Sequence, residues 1–194
     1  MEIIGKSILN TFFGKDLLIP WVGAVLKLQL IQYILIGRKD VCMNKILERR
    51  RLAEEVYEIW VEAPLIAEQR SPGQFVVLQL DTEFGERFPL TIADADTKRG
   101  AIRLIFQSVG KSTHQLADMQ VGDSVPNILG PLGNPTDIEK FGRVVCVGGG
   151  IGVAPMHPIA QALKQAGNEL ITIMGARTKD LVILEHEMQN ISDE

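Results

Sequence analysis

The chain reads Gly148-Gly149-Gly150-Ile151-Gly152-Val153-Ala154-Pro155 directly after a run rich in valine at 143–147. Glycines allow a tight strand-to-helix turn in which bare backbone amides can approach a ligand, and the following helix N-terminus adds partial positive charge. Proline is tolerated in a first helical turn because its missing amide would have no partner there. The stretch therefore predicts a β-α unit with a phosphate-binding loop; a glycine-rich turn without a ligand is the alternative. It departs from G-x-G-x-x-G, whose third glycine would be Val153.

The segments around this loop predict an α/β region. Two short apolar runs alternate with two longer amphipathic ones, and strands that alternate with helices pair in parallel. The predicted strands and helices are, in order, Arg143–Val147, Ala154–Ala166, Leu170–Met174 and Lys179–Asn190. We therefore expect a partial α/β Rossmann-like nucleotide-binding domain over residues 141–194.

Residues 43–140 show a different pattern. Tyr57, Ile59 and Val61 alternate with charged or amphipathic residues, which is the period of a strand with one buried face. Turns such as Ser71-Pro72-Gly73 separate the runs. Regularly spaced short strands predict an all-β antiparallel six-stranded barrel. The expected strands are Lys45–Leu52, Val56–Glu62, Phe75–Leu80, Phe88–Ala93, Ala101–Phe106 and Ser124–Leu129.

Composition limits the class of protein. The 194 residues are 46% hydrophobic and 23% charged, which excludes a disordered chain and supplies enough apolar material for a core. The net charge of −4 gives no general attraction to nucleic acid or anionic lipid. Two cysteines, Cys42 and Cys146, are too few for a disulfide framework or a four-thiolate metal site. They suit a reducing compartment, and we predict a cytoplasmic location.

Residues 1–42 are an N-terminal extension of doubtful role, because the strand-like pattern begins at Met43. Within it, Leu17–Ile36 has the length of a membrane span of about 20 residues. Lys27 lies near its middle, where a charged side chain is costly in lipid. No small-residue cleavage site follows, which argues against a signal peptide. A membrane tether is therefore the alternative to a plain extension.

Two further motifs offer phosphate ligands. Gly110-Lys111-Ser112-Thr113 has the pattern of a helix start whose amides and hydroxyls can meet a phosphate, with a plain helix cap as the alternative. Arg87 precedes Thr91 by four residues, and the pair could hold a phosphate and the edge of a flavin ring. Read alone, Arg87 could equally be a surface cation.

In this order the three motifs resemble the ferredoxin–NADP reductase superfamily. The resemblance is closest to the branch of FAD-binding subunits of NADH-dependent reduced ferredoxin:NADP oxidoreductase and sulfide dehydrogenase. The electron-transfer subunit of dihydroorotate dehydrogenase is a near relative. The phrases that carry the resemblance, all within 43–194, are Arg87–Asp94, Val109–Leu116, Gly130–Pro135, Val144–Pro155 and Gly175–Leu181.

The resemblance implies the flavin contacts. Thr91 stands where the family's serine hydrogen-bonds the flavin ring, and Leu90 stands where a tyrosine often stacks on it. Arg87 is assigned to the FAD phosphate, although it lies one place further from Thr91 than in the common R-x-Y-S form. The segment matched to the FAD pyrophosphate is Gly110, Lys111, Ser112 and Thr113.

The dinucleotide contacts are implied in the same way. The loop under the dinucleotide pyrophosphate corresponds to Gly149, Gly150, Ile151 and Gly152. Arg177 is placed to meet a ribose 2′-phosphate, because a planar guanidinium suits a phosphate whereas an acidic residue would favour NAD. NADP is thus expected, with NAD as the alternative. His157 and Cys146 are interpreted as packing residues.

The implied reaction is electron transfer between NAD(P)H and an iron–sulfur carrier such as ferredoxin, through FAD. No catalytic acid or base and no metal ligand from this chain is required. The family's [2Fe–2S] cluster would need cysteines that this chain lacks, so we expect the sequence to be the N-terminal portion of a longer product. Expected partners are a larger flavin or iron–sulfur subunit in a heterodimer and ferredoxin, not nucleic acid. The alternatives are a non-catalytic FAD-binding electron-transfer module and a dihydroorotate dehydrogenase electron-transfer subunit.

Overall fold

The structure is a computed structural model that describes residues 44–81 and 85–194. The extension 1–42, with the apolar segment 17–36, lies outside the described residues. Among the described helices, none combines the length and apolar character that a membrane crossing requires.

Six antiparallel strands form the first sheet. They lie in the order β1-β2-β5-β4-β3-β6. Two short helices accompany them, α1 (Pro64–Gln69) after β2 and α2 (Lys111–Asp118) after β5. The strands are β1 (Ile46–Ala53), β2 (Val56–Glu62), β3 (Phe75–Gln79), β4 (Arg87–Asp96), β5 (Ala101–Gln107) and β6 (Asn127–Leu132).

The sheet closes into a barrel through residues just before β6. The Ile46 amide donates to the Asp123 carbonyl at 2.8 Å, and Lys45 and Ser124 form an antiparallel bridge. The predicted strand Ser124–Leu129 is therefore wrong in its limits, since Ser124 pairs with the start of β1 and β6 begins only at Asn127. Pro126 lies between them, and proline has no amide to continue a ladder.

Strands β2 and β5 are buried on both faces. Ile59 and Leu104 point into the barrel core, whereas Val56 and Ile105 belong to a second apolar cluster on its outside. Alternation in β2 predicted one buried face, and this expectation is wrong because the α/β unit covers the other face. The outside of the barrel is thus an internal packing surface.

The α/β unit supplies that cover. Strand β7 (Arg143–Gly149) passes through a 3₁₀ turn (Gly150–Gly152) into α3 (Val153–Gln165), and β8 (Glu169–Gly175) returns parallel to β7. The residues of α3 that are buried in the second cluster include Ala160 and Leu163. An antiparallel six-stranded barrel followed by a partial α/β unit confirms the predicted fold class, while the predicted domain limits stay predictions.

The last predicted helix is interrupted. A 3₁₀ turn covers Lys179–Leu181, and α4 covers Glu185–Ile191. Leu184 separates them with φ of 58°, a left-handed conformation that ends any continuous helix. The prediction of one helix over Lys179–Asn190 is wrong here because a leucine at such a position gives no glycine-like signal.

Within the described residues, the two-stranded sheet has one uncovered face and one partly paired edge. Val145, Val147 and Ile173 are 52%, 71% and 55% exposed, on the face away from α3. At the edge of β8, the Asp193 amide donates to the Leu170 carbonyl at 2.8 Å. The Thr172 amide donates to the Glu194 carbonyl at 3.0 Å, so residues 193–194 extend the sheet at that edge.

We expect the protein to self-associate through this uncovered face, because parallel sheets are normally covered on both faces. Changing Val145 and Val147 together to Thr should weaken self-association roughly tenfold, since each buried methylene contributes about 0.8 kcal/mol. Sedimentation velocity over a concentration series measures this. Val121→Thr, at an exposed turn residue, is the matched control. An unchanged dissociation constant in the double variant would exclude this face.

Candidate functional site

A cleft of about 740 Å³ lies between the β7–α3 loop and the barrel. The α/β unit contributes the loop residues Gly149, Gly150 and Ile151, together with Arg177 and neighbouring residues after β8. The barrel contributes the turn between β1 and β2 and the end of β5. Its lining residues are Glu54, Glu55, Val56 and Gln107.

The glycine loop leaves room for a ligand. A Cβ added to Gly150 or Gly152 would meet nothing within 4 Å, and Gly150 has φ of +51°, which favours glycine. Gly148 has a different role, because a Cβ there would lie 2.9 Å from Met156 Cε. The loop therefore combines one glycine required for packing with others that expose backbone. This arrangement fits a pyrophosphate at a strand-to-helix turn.

The cleft carries charges of both signs. Arg177 lies two residues after β8, is exposed, and forms no ion pair with any residue of the described ranges. Glu54 and Glu55 bring carboxylates to the barrel side. A guanidinium that has no ion-pair partner within the described part of the chain can bind an anionic group such as a ribose phosphate.

Hydrogen bonds fix the barrel side of the cleft. The Ser108 amide donates to the Glu55 carbonyl at 2.7 Å, which ties the β1–β2 turn to the residue after β5. The Ser108 hydroxyl lies 2.6 Å from Nδ1 of His114 on α2. Ser108 is buried, so this residue connects the cleft to the start of α2.

The N-terminus of α2 forms a second candidate anion site. Gly110 is the N-cap, and Thr113 Oγ1 accepts the amides of Val109 at 3.1 Å and Gly110 at 3.0 Å. The first amides of a helix have no acceptor within it, so those of Lys111, Ser112 and Thr113 point out of the first turn. Lys111 is exposed. These groups suit a phosphate.

A carboxylate already contacts this helix start. The Ser112 hydroxyl, in a residue only 8% exposed, donates to Glu86 Oε2 at 2.6 Å. Glu86 directly precedes Arg87, whose Nε lies 3.5 Å from Gln79 Oε1. Glu86 is the first residue of the sequence motif Glu86–Ala93, but the sequence assigned it no role in the site.

Strand β4 separates its three predicted site residues by face. Leu90 packs against the barrel core. Arg87 and Thr91 alternate with it along the strand and so lie on the opposite side, the side of Ala93, which belongs to the outer cluster. Thr91 is half-buried opposite Phe75 on β3. Neither Leu90 nor Thr91 lines the cleft among the described residues.

The structure thus brings the predicted residues together in two groups. Gly149, Gly150, Ile151 and Arg177 share the cleft, and 110–113 form the start of α2. Gly152 follows the loop in the 3₁₀ turn but does not line the cleft. Sequence reasoning missed Glu54, Glu55 and Gln107, since no local pattern distinguishes a solvated turn from one that faces another part of the chain.

A buried ion cluster joins the barrel to α4. Arg103 of β5 is 4% exposed and Glu58 of β2 is 1% exposed. Arg103 Nε donates to Glu58 Oε2 at 2.6 Å, while Nη1 and Nη2 donate to the two oxygens of Glu187 at 2.6 and 2.9 Å. Arg50 Nε also donates to Glu58 Oε1 at 2.7 Å. Charges removed from water are stable only when they are paired in this way.

The ion cluster shifts the pKa values of Arg103 and Glu187. Burial alone would lower the pKa of Arg103, but hydrogen bonds and attraction from the two carboxylates raise it above its ordinary value. The hydrogen bond from Arg103 lowers the pKa of Glu187, against the effect of partial burial. His157 lies beside the cluster, with Nε2 3.7 Å from Glu187 Oε2, and its buried Nδ1 has no hydrogen-bond partner among the described residues. It packs in the interior, as does Cys146.

Comparisons with known proteins identify relatives. The chain is 46% identical over 151 residues to a homologue of the electron-transfer subunit of dihydroorotate dehydrogenase B (NAD(+)) from Thermotoga maritima, covering 78% of this chain and 53% of the relative. It is 36% identical over 158 residues to the electron-transfer subunit of the enzyme from Bacillus caldolyticus, covering 79% and 60%. No family model matches the chain.

Solved structures show the same fold. NADH-dependent reduced ferredoxin–NADP oxidoreductase, described for flavin-based electron bifurcation, aligns with a TM-score of 0.76 and 42% identity, covering 80% of this chain and 56% of that one. Phthalate dioxygenase reductase aligns with a TM-score of 0.63 at 20% identity, covering 77% and 47%, which supports the fold alone. The chain spans about half the length of these curated relatives and of the reduced ferredoxin–NADP oxidoreductase chain.

Replacing Arg103 by Met should lower the free energy of unfolding by about 3–5 kcal/mol, because the buried charge of Glu58 then keeps only the exposed Arg50 as its partner. Urea titration followed by circular dichroism measures the change. Arg143→Met, which breaks the exposed pair with Glu169, is the control and should change stability little. If the two substitutions lowered the free energy of unfolding equally, the buried cluster would contribute no more to stability than the exposed pair.

Low pH should weaken the ion pair between Glu187 of α4 and Arg103 of β5. Its folded-state pKa lies below the ordinary 4.5, so its contribution to stability is present above that pH and is lost as the pH falls through the lower folded pKa. Glu187→Gln should therefore flatten the fall of unfolding free energy with decreasing pH below 4.5. Glu185→Gln, at an exposed residue of the same helix, should leave the slope unchanged. Parallel slopes for wild type and Glu187→Gln would contradict the assignment.

Proposed function

We infer that this chain, as a homologue of the electron-transfer subunits of dihydroorotate dehydrogenase B and of NADH-dependent reduced ferredoxin–NADP oxidoreductase, belongs to the ferredoxin–NADP reductase superfamily. We propose that it is a flavoprotein subunit that transfers electrons between NAD(P)H and an iron–sulfur carrier such as ferredoxin, through FAD. The proposal rests mainly on the cleft. There the glycine loop and Arg177 of the α/β unit lie opposite residues of the barrel, so one cleft is lined by both parts of the structure.

The groups on the barrel suit FAD. The helix start at 110–113 offers free amides and a lysine to a pyrophosphate, and β4 carries an arginine and a threonine with the same strand parity. The proposed flavin contacts are Arg87, Leu90, Thr91, Gly110, Lys111, Ser112 and Thr113. In this proposal residues 43–140 form the FAD-binding domain.

The groups of the α/β unit suit a nicotinamide dinucleotide. Space in front of Gly150 admits a pyrophosphate. Arg177, which forms no ion pair within residues 44–81 and 85–194, favours the 2′-phosphate of NADP over NAD. The proposed dinucleotide contacts are Gly149, Gly150, Ile151, Gly152 and Arg177, within a partial domain over 141–194.

FAD, when bound, supplies hydride acceptance from NAD(P)H and the release of electrons one at a time. The chain's own residues bind and orient. Arg177 and the loop amides neutralise phosphate charge, and Ser108 holds the β1–β2 turn beside the cleft. No side chain of the chain is assigned as an acid or base.

Partners complete the proposal. The named relatives are electron-transfer subunits, which supports assembly of this chain with a larger catalytic subunit. Ferredoxin is the proposed carrier partner, and the location is the cytoplasm. The [2Fe–2S] cluster of the family would have to be held by residues outside this sequence, because its two cysteines cannot supply four ligands.

Reduction of the FAD-loaded protein by NADPH tests the function. We expect bleaching of the flavin absorbance in stopped-flow mixing. Arg177→Met should raise the dissociation constant for NADPH roughly 10- to 100-fold and leave that for NADH unchanged, because a charge-assisted hydrogen bond contributes about 1.5–3 kcal/mol. Lys179→Met, two residues away and also exposed, is the matched control.

Two outcomes would redirect the proposal. FAD binding without bleaching by either nucleotide would identify a non-catalytic electron-transfer module. If Arg177→Met raised the dissociation constants for NADPH and NADH equally, Arg177 would not contact a 2′-phosphate.

A further inference from the structure

We propose that the carboxylates of Glu54 and Glu55, in the turn between β1 and β2, make the cleft prefer the oxidised nucleotide NAD(P)⁺ over the reduced nucleotide NAD(P)H. The inference rests on the proposed function, in which the cleft receives this nucleotide. It gives a role to two barrel residues that belong to none of the sequence motifs.

Both carboxylates lie on the barrel side of the cleft. Glu54 and Glu55 line it, and both residues are exposed. Within residues 44–81 and 85–194, no lysine, arginine or histidine forms an ion pair with either of them. Their negative charges therefore act on whatever molecule enters the cleft.

The turn that carries the two carboxylates is held by β5. The Ser108 amide donates to the Glu55 carbonyl at 2.7 Å. The next residue, Val56, is 6% exposed and pairs with Gln107 at the end of β5. The backbone under the carboxylates is thus fixed, and their charges stay beside the cleft.

The cleft offers one cation to balance them. Among the described residues that line it, only Arg177 is positively charged. In the proposed function this guanidinium binds the 2′-phosphate at the adenosine end of the nucleotide, and the amides of the glycine loop bind the pyrophosphate. The positive groups of the cleft are then used by phosphates, and the carboxylates of the turn keep their charge.

Hydride transfer brings the nicotinamide ring to the barrel side. The proposed flavin contacts all belong to the barrel, so the ring has to face the barrel to reach the flavin, and Glu54 and Glu55 are part of that wall. When NAD(P)H gives up a hydride, the electron pair leaves with the hydrogen for the flavin. The ring becomes a pyridinium with a positive charge, which the carboxylates attract.

This attraction distinguishes the two oxidation states. Both states carry the same phosphates, so repulsion between the phosphates and the carboxylates cancels in the ratio of the two affinities. The charge on the ring is the difference that remains. Opposite charges several ångströms apart in a partly solvated cleft change affinity by roughly three- to tenfold.

The double variant Glu54→Gln with Glu55→Gln tests the inference, because it removes both charges and nearly preserves the shape of the side chains. The probes for the FAD-loaded protein are NADP⁺ and its tetrahydronicotinamide analogue, whose neutral ring does not reduce flavins. NAD⁺ and its own tetrahydronicotinamide analogue form a second pair, so the test holds for either coenzyme. Isothermal titration calorimetry at low ionic strength gives the dissociation constants.

We expect the preference of the wild type for the oxidised nucleotide over its neutral analogue to fall roughly three- to tenfold in the double variant. The neutral analogue should bind more tightly than it does to the wild type, because the repulsion of its phosphates is relieved. An unchanged ratio of the two affinities, or a ratio that moves further toward the oxidised nucleotide, would overturn the inference.

Three controls separate the charge on the ring from other effects. Glu68→Gln combined with Asp118→Asn makes the same change in net charge at exposed residues outside the cleft and should leave the ratio unchanged. High salt should reduce the preference of the wild type, because exposed charges are screened. The 2′-phosphate derivative of ADP-ribose, which lacks nicotinamide, should respond to the double variant as the neutral analogue does. A response like that of NADP⁺ would contradict a role for the ring.

The outcomes distinguish the inference from the proposed function. If the wild type binds neither pair of nucleotides, both fail. If it binds them with the same ratio as the double variant, only the role of the turn fails. The single variants Glu54→Gln and Glu55→Gln divide the effect between the two residues. They also keep the test valid if the double variant unfolds, which its melting temperature reports.

Discussion

Arg103 holds two carboxylates that come from different parts of the chain, Glu58 of the barrel and Glu187 of α4. Removing such charges from water costs several kcal/mol each unless they are paired. The burial of Arg103 on the outer face of β5 therefore depends on Glu187, and so on the position of α4. Arg177, Leu181 and Ile183 line the cleft and lie just before α4 in the chain, so the ion cluster also helps to position this wall of the cleft.

Ser108 connects the two candidate anion sites. Its amide binds the turn that lines the cleft, and its hydroxyl contacts His114 on the helix whose first turn faces the second site. Both contacts come from one buried residue between β5 and α2, so the two sites are built on a common frame. Precise placement of two ligands relative to each other is what electron transfer between them requires.

Much of the fold follows from local pattern, and the site only in part. The glycine loop between β-branched runs predicted the β-α-β unit, and the period of two predicted the barrel. Alternation could not show that Glu58 faces a second interior, because a charged residue on the outside of a strand looks the same whether water or Glu187 lies beyond it. The Arg103–Glu187 contact joins residues 84 positions apart, and Leu184 turns the chain without a glycine. Both depend on tertiary packing, which also decided that Glu54 and Glu55 line the cleft.

The edge of β8 has a consequence for aggregation. Unpaired amides and carbonyls on a sheet edge are a template for strand addition by another molecule. Asp193 and Glu194 satisfy this edge from Leu170 to Thr172, whereas β7 pairs only with β8 among the described strands. Within the described residues, the outer edge of β7 therefore has no strand partner along its length, whereas the outer edge of β8 lacks one only beyond Thr172. A charged residue or a proline on the outer edge of β7 should therefore protect the sheet against strand addition by another molecule. The same change in the first half of β8 should have no such effect, because Asp193 and Glu194 already pair there.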